Sequence, residues 1–129
     1  MQNYHEVELW RQLTREAVIA TAGETEGTII VPQTIYSTAH FDEIIGGVRQ
    51  HVPVEHFTLV ATEATIHMRI AERAAKNETT GEWAIAMIAT CLAAQRDARY
   101  EVHLDAEQQT PTELVAAILD RLPKLGSAR

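Results

Sequence analysis

Two arginines are the residues whose type and spacing best fit chemistry on a ligand. Arg69 and Arg73 lie four residues apart, just before the polar stretch 76–81. On a helix, this spacing places both side chains on one face, where two guanidinium groups can stack on a base and pair with phosphate oxygens. Alternatively, the face is simply solvated, with Glu72 and Lys76 making ordinary surface ion pairs. The spacing alone favours the solvated face, since exposed charges on helices are common.

Polar residues also follow the strands that the sequence predicts. In a parallel α/β sheet, ligands bind outside the carboxyl ends of the strands, and this rule selects 32–34, 61–62 and 105–106. Gln33 and Thr34 offer an amide and a hydroxyl where a small polar substrate can sit. The alternative is a strand-to-helix loop whose polar side chains only face water, and this alternative is slightly favoured because polar residues are common in loops.

Other familiar sites are missing from the sequence. The six histidines are scattered without a metal-binding spacing, so no metal site is predicted. Neither GxxxxGK[ST] nor GxGxxG occurs, so the chain has no sequence for a phosphate-binding loop. Cys91 lies on an apolar helix, which predicts a buried and unreactive thiol. We assign no catalytic residue from the sequence.

Hydrophobic periodicity predicts helices that alternate with short strands. Thr28–Val31 is a β-branched run without polar alternation, which is typical of a strand covered on both faces. Such alternation predicts a three-layer α/β protein with a partial parallel sheet of about three strands. The predicted strands are Thr28–Val31, Val54–Val60 and Tyr100–Leu104; the predicted helices cover Tyr4–Ala22, a segment starting at Ser37 or Thr38, one capped by Thr62, Trp83–Gln95, and one starting at Thr110–Pro111.

Composition limits the function classes. With 18 acidic and 11 basic residues the net charge is −7, so nucleic acid and anionic membranes are not expected as partners. A single cysteine and a start without a basic or apolar segment indicate a cytoplasmic protein. The 129 residues predict a single domain, 1–129, with a disordered tail at 124–129.

An ordered set of segments resembles the tunicamycin-resistance ATP-binding proteins, which are P-loop proteins with a nucleoside- and nucleotide-kinase-like fold. The resemblance extends through essentially the whole chain, in order and with few gaps. The similar segments are Glu8–Arg11, Gly27–Ile35, His56–Leu59, Arg69–Arg73, Glu82–Ala84 and His103–Asp105.

The resemblance implies roles that spacing does not provide. Arg69 and Arg73 match nucleotide-binding residues on the helix that enters a lid around 76–81. Asp105 matches the end of the last strand, beside the loop that passes the adenine. Gln33 and Thr34 match the substrate side of the sheet. ATP and Mg²⁺ are the implied cofactors of an intact family member, which would act as a kinase-like phosphotransferase on a small-molecule acceptor.

Two departures from the family pattern change the expectation. Family members have further N-terminal residues that include the P-loop and its strand, which lies between the strands matching Thr28–Val31 and Val54–Val60. Thr90 stands where the returning lid helix usually has an arginine. We therefore expect the C-terminal two thirds of such a protein, lacking the central P-loop strand and unable to bind ATP tightly by itself.

Two other interpretations stay open. In the second interpretation, the chain is a degenerate, non-catalytic kinase-like domain that acts in protein association and pairs through exposed strand edges. If the resemblance is accidental, a small-molecule binding module unrelated to kinases is the third class.

Overall fold

The computed structural model describes residues 6–122, which form two compact units. One unit ends at Glu55 and the other begins at His56. The chain is mixed helix and strand, with 57% helix and two parallel strands. The predicted tail, 124–129, and the first residues of the predicted N-terminal helix lie outside the described residues. Among residues 6–122, no helix is both long enough and apolar enough to span a membrane.

The first unit is helical. It contains α1 (Glu8–Glu24), α2 (Thr38–Phe41), a π-helical turn (Asp42–Gly46) and α3 (Gly47–Arg49). The predicted start of the second helix is confirmed, since the Ser37 hydroxyl accepts a hydrogen bond from the His40 N–H at 3.3 Å. Its apolar side chains form the small core of this unit: Phe41, Ile44 and Val48.

A glycine lets α1 approach this helical segment closely. A Cβ atom on Gly47 would overlap the Cδ atom of Arg15, whereas one on Gly46 would meet nothing within 4 Å. Of these two neighbouring glycines, only Gly47 therefore lies at a close approach to α1. On the same side, the Arg11 guanidinium donates to the Glu43 carboxylate, and this bond lowers the pKa of Glu43.

The described part of the second unit contains a two-stranded parallel sheet and four helices. Its elements are β1 (Thr58–Val60), α4 (Glu63–Lys76), α5 (Glu82–Ala86), α6 (Ile88–Ala94), β2 (His103–Asp105) and α7 (Pro111–Arg121). Thr58 pairs with His103, and Val60 pairs with Asp105. Both strands are shorter than predicted but lie within or at the end of the predicted segments.

The caps of this unit follow the sequence closely. The Thr62 hydroxyl accepts from the Thr65 N–H at 3.3 Å and begins α4. At α7, Thr110 and Glu113 form the complete capping box, with both reciprocal hydrogen bonds present. By contrast, the single helix predicted over Trp83–Gln95 is divided at Met87 into α5 and α6.

The predicted strand Thr28–Val31 is wrong. These residues form neither strand nor helix, and the Ile30 side chain is 82% exposed instead of covered on both faces. A strand needs a neighbouring strand for its hydrogen-bond ladder, and nothing in the described chain pairs with this run. The expected sheet of about three strands is accordingly a pair.

Candidate site at the carboxyl edge of the sheet

The carboxyl ends of β1 and β2 open into a shallow cavity of about 230 Å³. Because the two strands are parallel, their carboxyl ends meet at one edge of the sheet. This geometry brings together the loops after both strands, at 61–62 and 105–106. The cavity is lined by Val60, Ala61, Thr62, Asp105 and Glu107.

Asp105 shapes the loop that follows β2. Its Oδ1 atom accepts hydrogen bonds from the backbone N–H groups of Glu107, at 2.9 Å, and Gln108, at 3.0 Å. The loop is also tied to β1, since the Ala106 N–H donates to the Val60 carbonyl at 2.8 Å. Oδ2 of Asp105 makes no hydrogen bond to the residues that the structure describes, so it can accept one from a ligand in the cavity.

The Glu107 carboxylate caps the N-terminal end of α4 from the loop that follows β2. Its carboxylate accepts from the Thr62 hydroxyl at 3.0 Å, from the Thr62 N–H at 3.3 Å, and from the Thr65 hydroxyl. The hydrogen bonds from Thr65 and then Thr62 hold the pKa of Glu107 below its usual range. One of the free N–H groups at this helix start is thereby satisfied within the chain.

Sequence reasoning missed Glu107. The contact joins residues 42 to 45 positions apart along the chain, so no local motif signals it. The available hint is that an acidic residue follows three positions after the predicted strand end at Leu104.

Arg69 and Arg73 lie on α4, the helix that starts at the cavity. Both are exposed, and neither side chain forms a hydrogen bond or ion pair with another residue of the described range 6–122. They follow Thr65 at four-residue intervals along the same side of the helix. The ordinary surface ion pairs of Glu72 and Lys76 that belong to the alternative interpretation are not formed within residues 6–122. The arginines are therefore available to an anion, and Arg73 also stabilises the carboxyl end of the helix dipole.

Gln33 and Thr34 lie in the other unit. Both are exposed in the segment between α1 and Ser37. They follow no strand, so the reason for placing them at a carboxyl edge is lost. Their contact with an acceptor substrate stays a prediction that rests on the resemblance.

The residues considered for metal or nucleophilic chemistry have other surroundings. No group of three or more His, Cys, Asp or Glu side chains within residues 6–122 is arranged to hold a metal ion. Cys91 is partly buried, and burial raises the pKa of its thiol. His103 Nε2 lies 2.9 Å from the Tyr100 carbonyl oxygen, which assigns the proton to Nε2. The thiol of Cys91, which the sequence predicts to be buried, is thus only partly so.

The site has two chemically different parts. Two carboxylates line the cavity, so an anionic group there would meet repulsion, whereas an amine or N–H donor would be accepted. The unpaired guanidinium groups along α4 have the opposite preference and suit phosphate or carboxylate. No protein-family model, curated protein or solved structure matches the chain.

Proposed function

We propose that this chain supplies the lid helix and base-binding loop of an ATP-binding, P-loop, phosphotransferase-like protein of the tunicamycin-resistance type. The observation that supports this proposal is the pair of unpaired arginines on a helix that begins at a cavity rich in hydrogen-bond acceptors. In the complete sheet of this proposal, a P-loop strand supplies the central position, helices cover both faces, and the protein is cytoplasmic.

The spacing along α4 fits an elongated ligand with one basic or amine-bearing end and one anionic end. Arg69 follows Thr62 by seven residues, which is about 10 Å along a helix, and Arg73 lies about 6 Å further. An adenine amino group in the cavity can donate to Oδ2 of Asp105, while the phosphates reach the guanidinium groups. ATP has this distribution of charge, and Mg²⁺ would arrive with its phosphates. Gln33 and Thr34 would contact the acceptor.

Tight ATP binding is not part of the proposal for these 129 residues. Most of the affinity of a P-loop protein for phosphate comes from backbone N–H groups of its glycine-rich loop, and this sequence has no such loop. We therefore expect dissociation constants in the millimolar range. Exposed guanidinium–phosphate contacts contribute about 0.5 kcal/mol each, so removing both should weaken ATP binding by about fivefold.

The test is an NMR titration of the chain with ATP, and Arg69→Gln with Arg73→Gln is the informative variant. We expect resonances of Arg69, Arg73 and Asp105 to shift in the native chain and the shifts to require higher ATP in the double variant. Arg121→Gln is the matched control, since it removes an exposed arginine from α7 in the same unit. Micromolar ATP binding by calorimetry would contradict the proposal. Equal affinity of the native chain and the double variant would also contradict it.

A further inference from the structure

The run Thr28–Val31 has every property of a strand except a neighbour. Three of its four residues are β-branched aliphatic side chains, and the fourth is threonine. None of its backbone N–H or C=O groups forms a hydrogen bond in the described part of the chain. Ile30 is 82% exposed and Val31 is 46% exposed. Exposed apolar groups with unpaired amides favour addition to another sheet.

The outer edge of β1, on the side away from β2, also has backbone groups that lack good hydrogen-bond partners within residues 6–122. Thr58 donates its N–H to the Val102 carbonyl at 3.1 Å, and the Val60 carbonyl accepts from Ala106 at 2.8 Å. Both bonds are directed towards β2. In a parallel pair, alternate residues bond to the same neighbour, so the backbone of Leu59 is directed away from β2.

The backbone groups of Leu59 are poorly hydrogen-bonded on the side away from β2. Its carbonyl accepts only a long 3.4 Å hydrogen bond from Gln95 Nε2, and its N–H has no partner in the described chain. Its side chain is 53% exposed. An added strand would provide backbone partners and cover this leucine.

Charges beside the run and beside the edge are complementary. Glu24 and Glu26 come shortly before the run, and both are exposed without an ion pair. Arg96 follows Gln95, whose side chain already lies at the β1 edge, and it is also exposed without an ion pair. Placing the run on this edge brings acidic residues towards an unpaired arginine, which favours this pairing over a random one.

We propose that the chain forms a symmetric dimer in which Thr28–Val31 of each copy adds as a strand to the β1 edge of the other copy. Each copy offers one run and one edge of similar length, so that the exchange is reciprocal and closes with two molecules. Each sheet then has three strands, and isolated two-stranded sheets are only marginally stable in water. The residues of this proposal differ from those of the proposed nucleotide site. The dimer does use the β1 edge that the P-loop strand occupies in the nucleotide proposal, so only one of the two strands can take this edge at a time.

The first experiment combines sedimentation with hydrogen exchange on the full chain, from low micromolar to millimolar concentration. We expect a monomer–dimer equilibrium in which protection of the Thr28–Val31 amides rises together with the dimer fraction. Ile30→Pro removes one N–H donor and should raise the dimer dissociation constant by about tenfold or more. Met68→Lys is the matched control, because Met68 is a 52% exposed apolar residue elsewhere on the surface.

A charge exchange tests the partner edge. Arg96→Glu and Glu26→Arg should each weaken the dimer, and the double variant should recover most of the lost affinity. ATP titration of the same variants separates this proposal from the nucleotide proposal, since neither residue belongs to the proposed nucleotide site.

Three results would overturn the dimer. One is a monomer throughout the concentration range. Another is protection of Thr28–Val31 that does not depend on concentration, which would indicate pairing within one chain. The third is a dimer that Ile30→Pro leaves intact while these amides exchange freely, which would place the interface on another surface.

Discussion

The turn between α4 and α5, for which the family resemblance implies a lid, depends on a glycine. Gly81 has a φ of +66° and is the N-cap of α5. A Cβ atom at this position would lie 3.1 Å from Ile70 Cγ2 and 3.2 Å from the Ala74 Cβ. Gly81→Ala is therefore expected to destabilise the unit that contains it.

The magnitude follows from three contributions. The left-handed conformation costs an alanine about 1–2 kcal/mol, and crowding against α4 adds to that cost. Alanine also lowers the conformational entropy of the unfolded chain, which stabilises the folded state by about 0.4–1 kcal/mol. The net loss of unfolding free energy is about 1 kcal/mol. For a folding unit of about 60–100 residues, such as the one that begins at His56, this loss lowers the Tm by about 4–8 °C.

Thermal unfolding followed by circular dichroism provides the measurement. Glu78→Gly is the control in the same turn, because Glu78 also has a positive φ, 54°, and glycine relieves its strain. We expect this control to unfold at the native temperature or slightly above. If Gly81→Ala unfolds at or above the native temperature, the turn does not have the backbone conformation described here.

Two further predictions concern the second unit. Val102 has a φ of 44°, which is unusual for a β-branched residue. Val102→Gly should therefore raise the free energy of unfolding by about 0.5–1 kcal/mol, measured by urea unfolding. A lower free energy of unfolding in this variant would contradict the prediction. Glu107 and Glu113 have lowered pKa values in the folded chain, so their contribution is full above pH 4.5 and is lost as the pH falls through the folded values. Melting temperatures from pH 7 to 3 should therefore decline less steeply in Glu107→Gln than in the native chain, and parallel curves would refute the cap by Glu107.

Local signals predict the helix starts of this protein well. Ser37, Thr62 and Thr110 each accept a hydrogen bond from the backbone N–H three residues later. These bonds depend on a few consecutive residues, so that a side chain of the right type at the right offset is sufficient. The division of Trp83–Gln95 at Met87 has no comparable signal in the sequence.

Strands are predicted less well because their partners are remote in sequence. Thr28–Val31 and Thr58–Val60 have similar residue types, but only the second has a neighbour, β2, that supplies a ladder. The residue types of a segment indicate whether it is compatible with a β-sheet, but it forms a strand only where another strand is available to pair with it. The same limit explains why the Glu107 contact with Thr65 was not predicted, since 42 residues separate them.

The distribution of charge at the site is informative because the chain as a whole is acidic. With a net charge of −7, a cation on the surface has many carboxylates available as partners. Arg11 and Arg99 form such pairs, with Glu43 and Asp97. Arg69 and Arg73 do not, although Glu72 lies between them in sequence.

Glu107 strengthens this argument. Its carboxylate lies at the start of the arginine-bearing helix, whose first turn also contains Glu63, and hydroxyl and N–H donors, not a guanidinium group, hold Glu107 there. The Glu107 carboxylate thus lies at the start of the helix, and the unpaired guanidinium groups of Arg69 and Arg73 lie further along it. That separation leaves the arginines accessible to an anion while the cavity accepts a donor group. A ligand that joins both features is consequently a better match than a simple anion, and the nucleotide proposal therefore predicts that inorganic phosphate competes poorly with ATP in the NMR titration.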